Sequence, residues 1–258
     1  MLRAIDHLVI AVPDLAGAVA TYRDLGFSVA AGGRHPGVGT DNALIVFRDG
    51  SYLELLAFHE PRPDHRWWTP LARGGGLVDF CLQSDDLVGD AKVLRQAGAE
   101  MGEPERRDRV RPDGVEVRWV CVLARGAHRG VAPFLLAEDG PREARVPRDR
   151  GHANGVSGIG TVTVVVDDLP SIKRWYTEAL GKAADDLGYP ELGAVGARFM
   201  VGPHVFEFLA PAGAGPIRDW LQKRGPSPYS ATLVGANTRG PLDLARTSGA
   251  RLAFAGNA

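Results

Sequence analysis

The chain has 258 residues, 45% of them hydrophobic and 24% charged, enough for one large domain or two small ones with a full core. Thirty basic against 31 acidic residues leave a formal charge of −1, which argues against a general nucleic-acid or anionic-membrane binder. Cys81 and Cys121 lie in apolar runs and read as buried, reduced thiols; with no signal-peptide pattern and no apolar run near the roughly 20 residues of a membrane span, the expected setting is the cytoplasm.

In chain order, the first element is an apolar strand, Ile5-Asp-His-Leu-Val-Ile-Ala-Val, closed by Pro13-Asp14-Leu15. A helix follows over 15–26, with Asp14 as N-cap and Gly26 as C-cap. Strands are expected at 27–32, 42–47 and 52–58, with an Asp49-Gly50 turn between the last two. The segment 60–76 holds Pro61, Pro63 and Pro70 and reads as a linker, in which Trp67 and Trp68 either line a pocket mouth or anchor the chain. Strand and helix return at 77–87 and 87–98. Arg106, Arg107, Arg109 and Arg111 surround the Pro112-Asp113-Gly114 turn as the coat of a solvated hairpin; the functional alternative is one arginine reaching an anionic substrate. A strand over 132–138 ends this unit.

The charged stretch 141–155 separates two halves, with His152 and Asn154 expected to dock the second half on the first. A third strand and helix occupy 159–169 and 169–181, followed by strands at 196–201 and 204–209. A fourth, incomplete copy starts at Ser230, with a helix over 242–249 and no last strand. Each of the first three copies is an apolar strand closed by Asp-Leu and followed by a helical pattern, and internal repetition of this kind governs the fold. The expected class is α+β, built of tandem βαβββ modules. Residues 1–140 form one half (modules 1–58 and 76–138), and 156–258 form the other (a full module, 156–211, and a partial one, 228–258).

The module opening on Ile5-Asp-His-Leu-Val-Ile-Ala-Val-Pro-Asp-Leu15 and closing on Tyr52-Leu-Glu-Leu-Leu56 resembles the vicinal-oxygen-chelate superfamily. The stretch Gly33-Arg-His-Pro-Gly-Val-Gly-Thr-Asp-Asn-Ala-Leu44 and Gly151-His-Ala-Asn-Gly155 are similar to a glyoxalase-like subgroup. The resemblance spans nearly the whole chain; it implies modules paired into cup-shaped, mostly antiparallel sheets with helices outside, and not one reaction.

It also implies a cup with a metal ligand from the first and last strand of each module, where a divalent ion could chelate two adjacent substrate oxygens. Carried over, His7 and Glu54 come from module one and Asp79 from module two, while Phe134 stands where a second glutamate belongs. His7, Glu54 and Asp79 are therefore the candidate metal ligands, with the cofactor either a divalent ion or none. His35, in a glycine-rich loop, is the candidate general base beside Glu54, and Asn42, Tyr52 and Phe134 are candidate substrate contacts.

Plainer readings stand beside these. His7 fits a hydrogen-bonded core histidine, Glu54 and its repeat Glu207 a structural feature of the module, Asp79 a polar strand residue and His35 a solvated loop histidine. In the second half the matching positions are Thr161, Glu207 and Ser230, and that half reads as structural. The expected function is a glyoxalase-like lyase or isomerase acting on a small oxygenated metabolite, with or without metal. The alternative is a metal-free cup that sequesters a small molecule, as bleomycin-resistance proteins do. The expected partner is a small molecule, with neither nucleic acid nor membrane; a homodimer is left open, and modules one and two are expected to pair within the chain.

Overall fold

The computed structural model describes residues 2–256. Module one comprises β1 (Leu2–Ala11), α1 (Leu15–Asp24), β2 (Ala30–His35), β3 (Thr40–Val46) and β4 (Tyr52–Phe58). A short α2 (Trp68–Ala72) leads to module two: β5 (Gly76–Ser84), α3 (Leu87–Gln96), β6 (Glu105–Val110), β7 (Glu116–Val122) and β8 (Phe134–Glu138). After α4 (Arg142–Arg145) come β9 (Gly158–Val165), α5 (Leu169–Leu180), β10 (Asp185–Tyr189), β11 (Ala194–Val201) and β12 (His204–Pro211). Then α6 (Pro216–Arg224), β13 (Ser227–Val234), β14 (Gly240–Pro241) and β15 (Leu252–Gly256) complete the described chain. No helix among the described residues is long and apolar enough to cross a membrane.

The repeated Asp-Leu pairs have a local cause. Asp14, Asp86 and Asp168 are N-caps whose carboxylates accept backbone N–H groups of Ala16 and Gly17, of Gly89 and of Ser171, and the leucine that follows begins each helix. In each module the first strand then lies parallel to the last: β1 to β4, β5 to β8, β9 to β12. Antiparallel pairing of β1 with β5 joins modules one and two of a single chain into a closed barrel, β1-β4-β3-β2-β6-β7-β8-β5. Its other seam, β2 against β6, is one residue pair wide, Arg34 with Val110.

That seam depends on Gly33, where φ is +138° and an added Cβ would lie 2.0 Å from the Val110 carbonyl oxygen. Gly33→Ala is expected to destabilise the protein by more than about 1 kcal/mol, since both backbone conformation and close approach exclude the methyl group. Urea unfolding checks this; an unchanged midpoint would show that the seam yields without cost.

Residues 156–256 build a seven-stranded sheet, β10-β11-β12-β9-β13-β15-β14. Two expectations fail here. No helix forms over 242–249, where residues 244–249 are consecutive turns, and β15 lies parallel to β13, the last-strand position thought missing. The helix pattern misled because Leu244 is exposed and Ser248 takes a positive φ of 54°, so no apolar stripe is buried to hold a helix. Helix α6 lay unread within a polar, proline-started segment. Its Ile217 packs on Val165, Ala194 and Leu209, with Trp220 and Leu221 beside it, on the inward face of this sheet. The outer face carries Phe208 against Tyr176 of α5 and Phe206 against Phe80 of β5.

The two halves share one apolar core. His152 docks as expected: its Nδ1 accepts the Ser28 N–H at 3.0 Å and its Nε2–H donates to the Val46 carbonyl at 3.0 Å, while Asn154 donates to the Leu25 carbonyl.

Candidate functional site

The first barrel encloses a cavity of about 580 Å³. His7, His35, Asn42, Tyr52, Glu54 and Phe134 all line it. Strand alternation supplies part of this convergence. Val9 and Ala11 of β1, Leu56 of β4 and Cys81 of β5 form the inward apolar cluster with Phe134. Leu8 and Ile10 face the outer core.

Ile5 does not share the inward face with His7, as simple alternation predicts. The β1–β5 register slips between Ile5 and His7, and this bulge sends Ile5 outward. It leaves Asp6 and His7 together, with His7 Nδ1 2.8 Å from Asp6 Oδ1. The other ring nitrogen, Nε2, lies 3.4 Å from Glu54 Oε2. The ring stacks on Tyr52 at 4.6 Å and meets Phe134 edge-on at 5.2 Å.

Asp6 is wholly buried, a costly place for a carboxylate without cationic partners. Arg145 donates to both of its oxygens, at 3.2 and 2.9 Å, and Arg142 donates to one of them. Arg145 also donates to the Tyr52 hydroxyl at 2.8 Å and to Glu138. Burial favours the neutral acid at Asp6, but Arg145 and His7 outweigh it and hold the carboxyl well below its usual range. Both arginines come from the stretch between the halves, which carried no sign in the sequence of reaching into the barrel.

Glu54 accepts a hydrogen bond from Asn42 Nδ2 at 2.6 Å. Burial would raise its pKa; His7, His35 and Asn42 reverse that and bring it down to about 2. For His7, burial favours the neutral ring, yet Asp6 and Glu54, on either side of it, together raise its pKa. His35 is not a loop residue. It ends β2, paired with Thr40, because Phe27 first caps α1 and packs into the core, moving the strand to 30–35. Its Nδ1 lies 3.0 Å from Thr40 Oγ1, its Nε2 4.0 Å from Glu54 Oε1, and Trp119 meets the ring edge-on. Burial, only partly countered by Glu54, lowers its pKa and keeps it neutral.

A depressed carboxyl pKa stabilises the fold above the unfolded value and withdraws that stability as pH falls through the folded one. Glu54, taken from 4.5 to about 2, thus contributes on the order of 3 kcal/mol that is lost between those values, and Asp6 adds in the same direction. His7, raised from 6.5, stabilises fully below that pH and loses its contribution as pH rises through its folded value. Thermal melts between pH 5 and pH 2 are expected to show the fall; Glu54→Gln would flatten part of it, and an equally steep fall in that variant would be evidence against the assignment.

Asp79 does not join His7 and Glu54 at the main cavity. It lines a separate small pocket, accepts from Trp67 Nε1 at 2.8 Å and its own neighbour Phe80 N–H at 3.0 Å, and pairs with Arg66 at 2.7 Å. The expected ligand triad is therefore not assembled. Among the described residues, the gathered potential donors are instead Asp6, His7 and Cys81, within 4.8 Å of one another. That set suits a resident divalent ion poorly: Asp6 is taken by two guanidiniums, His7 Nδ1 by Asp6, and burial pushes the Cys81 thiol well above its normal pKa. Phe134 offers no donor, and the cavity wall adds Arg66, Arg107, Arg109 and Arg145. The residues fit hydrogen-bonded and ionic recognition better than cation binding.

Trp67 belongs to both readings given for it, lining the cavity while anchoring α2 through Asp79; Trp68 packs edge-on against Phe58. His65, to which the sequence assigned nothing, also lines the cavity, and burial with Arg66 and Arg107 lowers its pKa to about 4. In the second half Glu207 is held by Arg198 at 2.6 Å and by Tyr189 at 3.0 Å.

The family model described as a glyoxalase-like domain matches residues 5–180. An ethylmalonyl-CoA/methylmalonyl-CoA epimerase of Cereibacter sphaeroides is 29% identical over 119 residues, covering 41% of this chain and 81% of that protein. Among solved structures, a hypothetical protein from Staphylococcus aureus aligns with TM-score 0.71 and 13% identity over 99% of this chain and all of that one. A variant of 4-hydroxymandelate synthase from Streptomyces coelicolor aligns with TM-score 0.62 and 19% identity over 90% of this chain and 71% of that one.

Proposed function

The chain belongs to the glyoxalase-like domain family of the vicinal-oxygen-chelate superfamily, and from that premise we propose that its first barrel is the active cup of an enzyme of lyase or isomerase type that moves a proton on a small oxygenated metabolite. The observation that carries this reading is the buried His35–Glu54 pair on the wall of the cavity. With Nδ1–H donating to Thr40, His35 Nε2 is free to take a proton from carbon next to a carbonyl or carboxyl group. Glu54, ionised and held by His7 and Asn42, then stabilises the imidazolium. The arginine-rich wall stabilises negative charge developing on the substrate oxygen. The relative named as an epimerase supports the reading, since inverting a carbon centre by deprotonation needs such a base.

The test needs no known product. Candidate hydroxy acids, keto acids and thioesters are incubated with the protein in deuterium oxide, and exchange of the proton next to the oxygenated carbon is followed by proton NMR. Exchange in wild type that vanishes in His35→Asn supports the reading; exchange that survives the substitution sinks it. A sequestering protein is the second reading, favoured by the aromatic wall of Trp67, Trp119, Tyr52 and Phe134. Tight binding with no exchange would establish it.

A further inference from the structure

The buried acids near the cavity each have partners: Asp6 has Arg142 and Arg145, Glu54 has Asn42 and His7, and Asp79 has Arg66. Arg109 stands outside these pairs. This side chain is 3% exposed and lines the cavity, yet among the described residues it makes no salt bridge to a carboxylate. Its Nη2 donates to the Arg145 carbonyl at 2.6 Å, its Nη1 reaches Asn42 Oδ1 only at 3.5 Å, and its Nε–H has no acceptor. An unpaired buried guanidinium is costly, and the fold retains it beside the proposed base.

We propose that the substrate of this cup is a monocarboxylate, its carboxylate held by Arg109 and its body set against the Trp119, Tyr52 and Phe134 side chains. This rests on the first barrel being the active cup and adds the class of molecule it takes. A guanidinium suits a carboxylate because its N–H groups match two oxygens in one plane. The aromatic residues favour an apolar or aryl body, and a volume of about 580 Å³ suits a small molecule. Burial lowers the pKa of Arg109, as expected for a cation awaiting a counter-charge.

The probes are benzoate, phenylacetate and 3-phenylpropionate, each against its neutral amide, with binding measured by calorimetry and melting temperature on the full chain. The carboxylates are expected to bind at least about tenfold more tightly than the amides, with Arg109→Met removing that preference and Arg109→Lys restoring part of it. Amides that bind as tightly, a preference that survives Arg109→Met, or no binding by any acid at 10 mM would each overturn the proposal. Should Arg109→Met fail to fold, the acid-against-amide comparison in wild type decides alone. Carboxylate binding without proton exchange would defeat the proton-transfer reading and leave this one standing; exchange confined to neutral compounds would do the reverse.

Discussion

His35→Asn is expected to lower the rate of deuterium exchange by about 10²- to 10⁴-fold while leaving the melting temperature and carboxylate binding nearly unchanged. The asymmetry follows from position. The ring meets Trp119 edge-on, and its Nδ1 contact with Thr40 can be kept by an amide, so packing changes little. What asparagine cannot do is accept a proton at the site now held by Nε2. Burial has already moved the histidine pKa below 6.5, so the base form is the resident one and exchange should decline as pH falls through that lowered value. Glu54→Gln should also slow exchange, because the imidazolium formed in the reaction loses its counter-charge 4.0 Å away. Equal rates for the His35 variant and wild type would remove this residue from the chemistry.

Arg145→Met is expected to cost about 3–5 kcal/mol, the usual consequence of removing one partner from a buried ion pair. Asp6 would keep only Arg142 and His7, and Glu138 and the Tyr52 hydroxyl would lose a donor together. For a chain of this length the melting temperature should fall by roughly 10 °C. The double variant Asp6→Asn/Arg145→Met should recover much of the loss, since no stranded charge remains. A single variant melting within about 2 °C of wild type would mean that water or Arg142 replaces Arg145 at little cost.

The repeat was legible because period-two strands and Asp-Leu caps are local signals, readable without knowing what lies opposite. His7, Glu54 and Phe134 could be placed at one cavity because the superfamily resemblance assigns the first and last strands of paired modules to one cup. Asp79 occupies the corresponding register too, yet its carboxylate turned to Trp67 and Arg66, and those residues lie in a linker whose path no periodicity encodes. Arg109 looked like its neighbours Arg106 and Arg107 on a polar strand; burial alone sets it apart, and burial is tertiary. Asp6 was hidden by a bulge, which shifts alternation by one residue and leaves no mark in composition.

The seating of α6 on the inward face of the second sheet has a further consequence. In the first half the corresponding connection, α2, is five residues long and a cavity remains; in the second it is nine, and Ile217 and Leu221 fill part of the space against Val165 and Leu209. The helix is tethered at both ends, so its local concentration at that face exceeds that of any dilute solute. That face of the second half is therefore covered by the chain's own residues, whereas the proposed function leaves the first cavity to a free ligand.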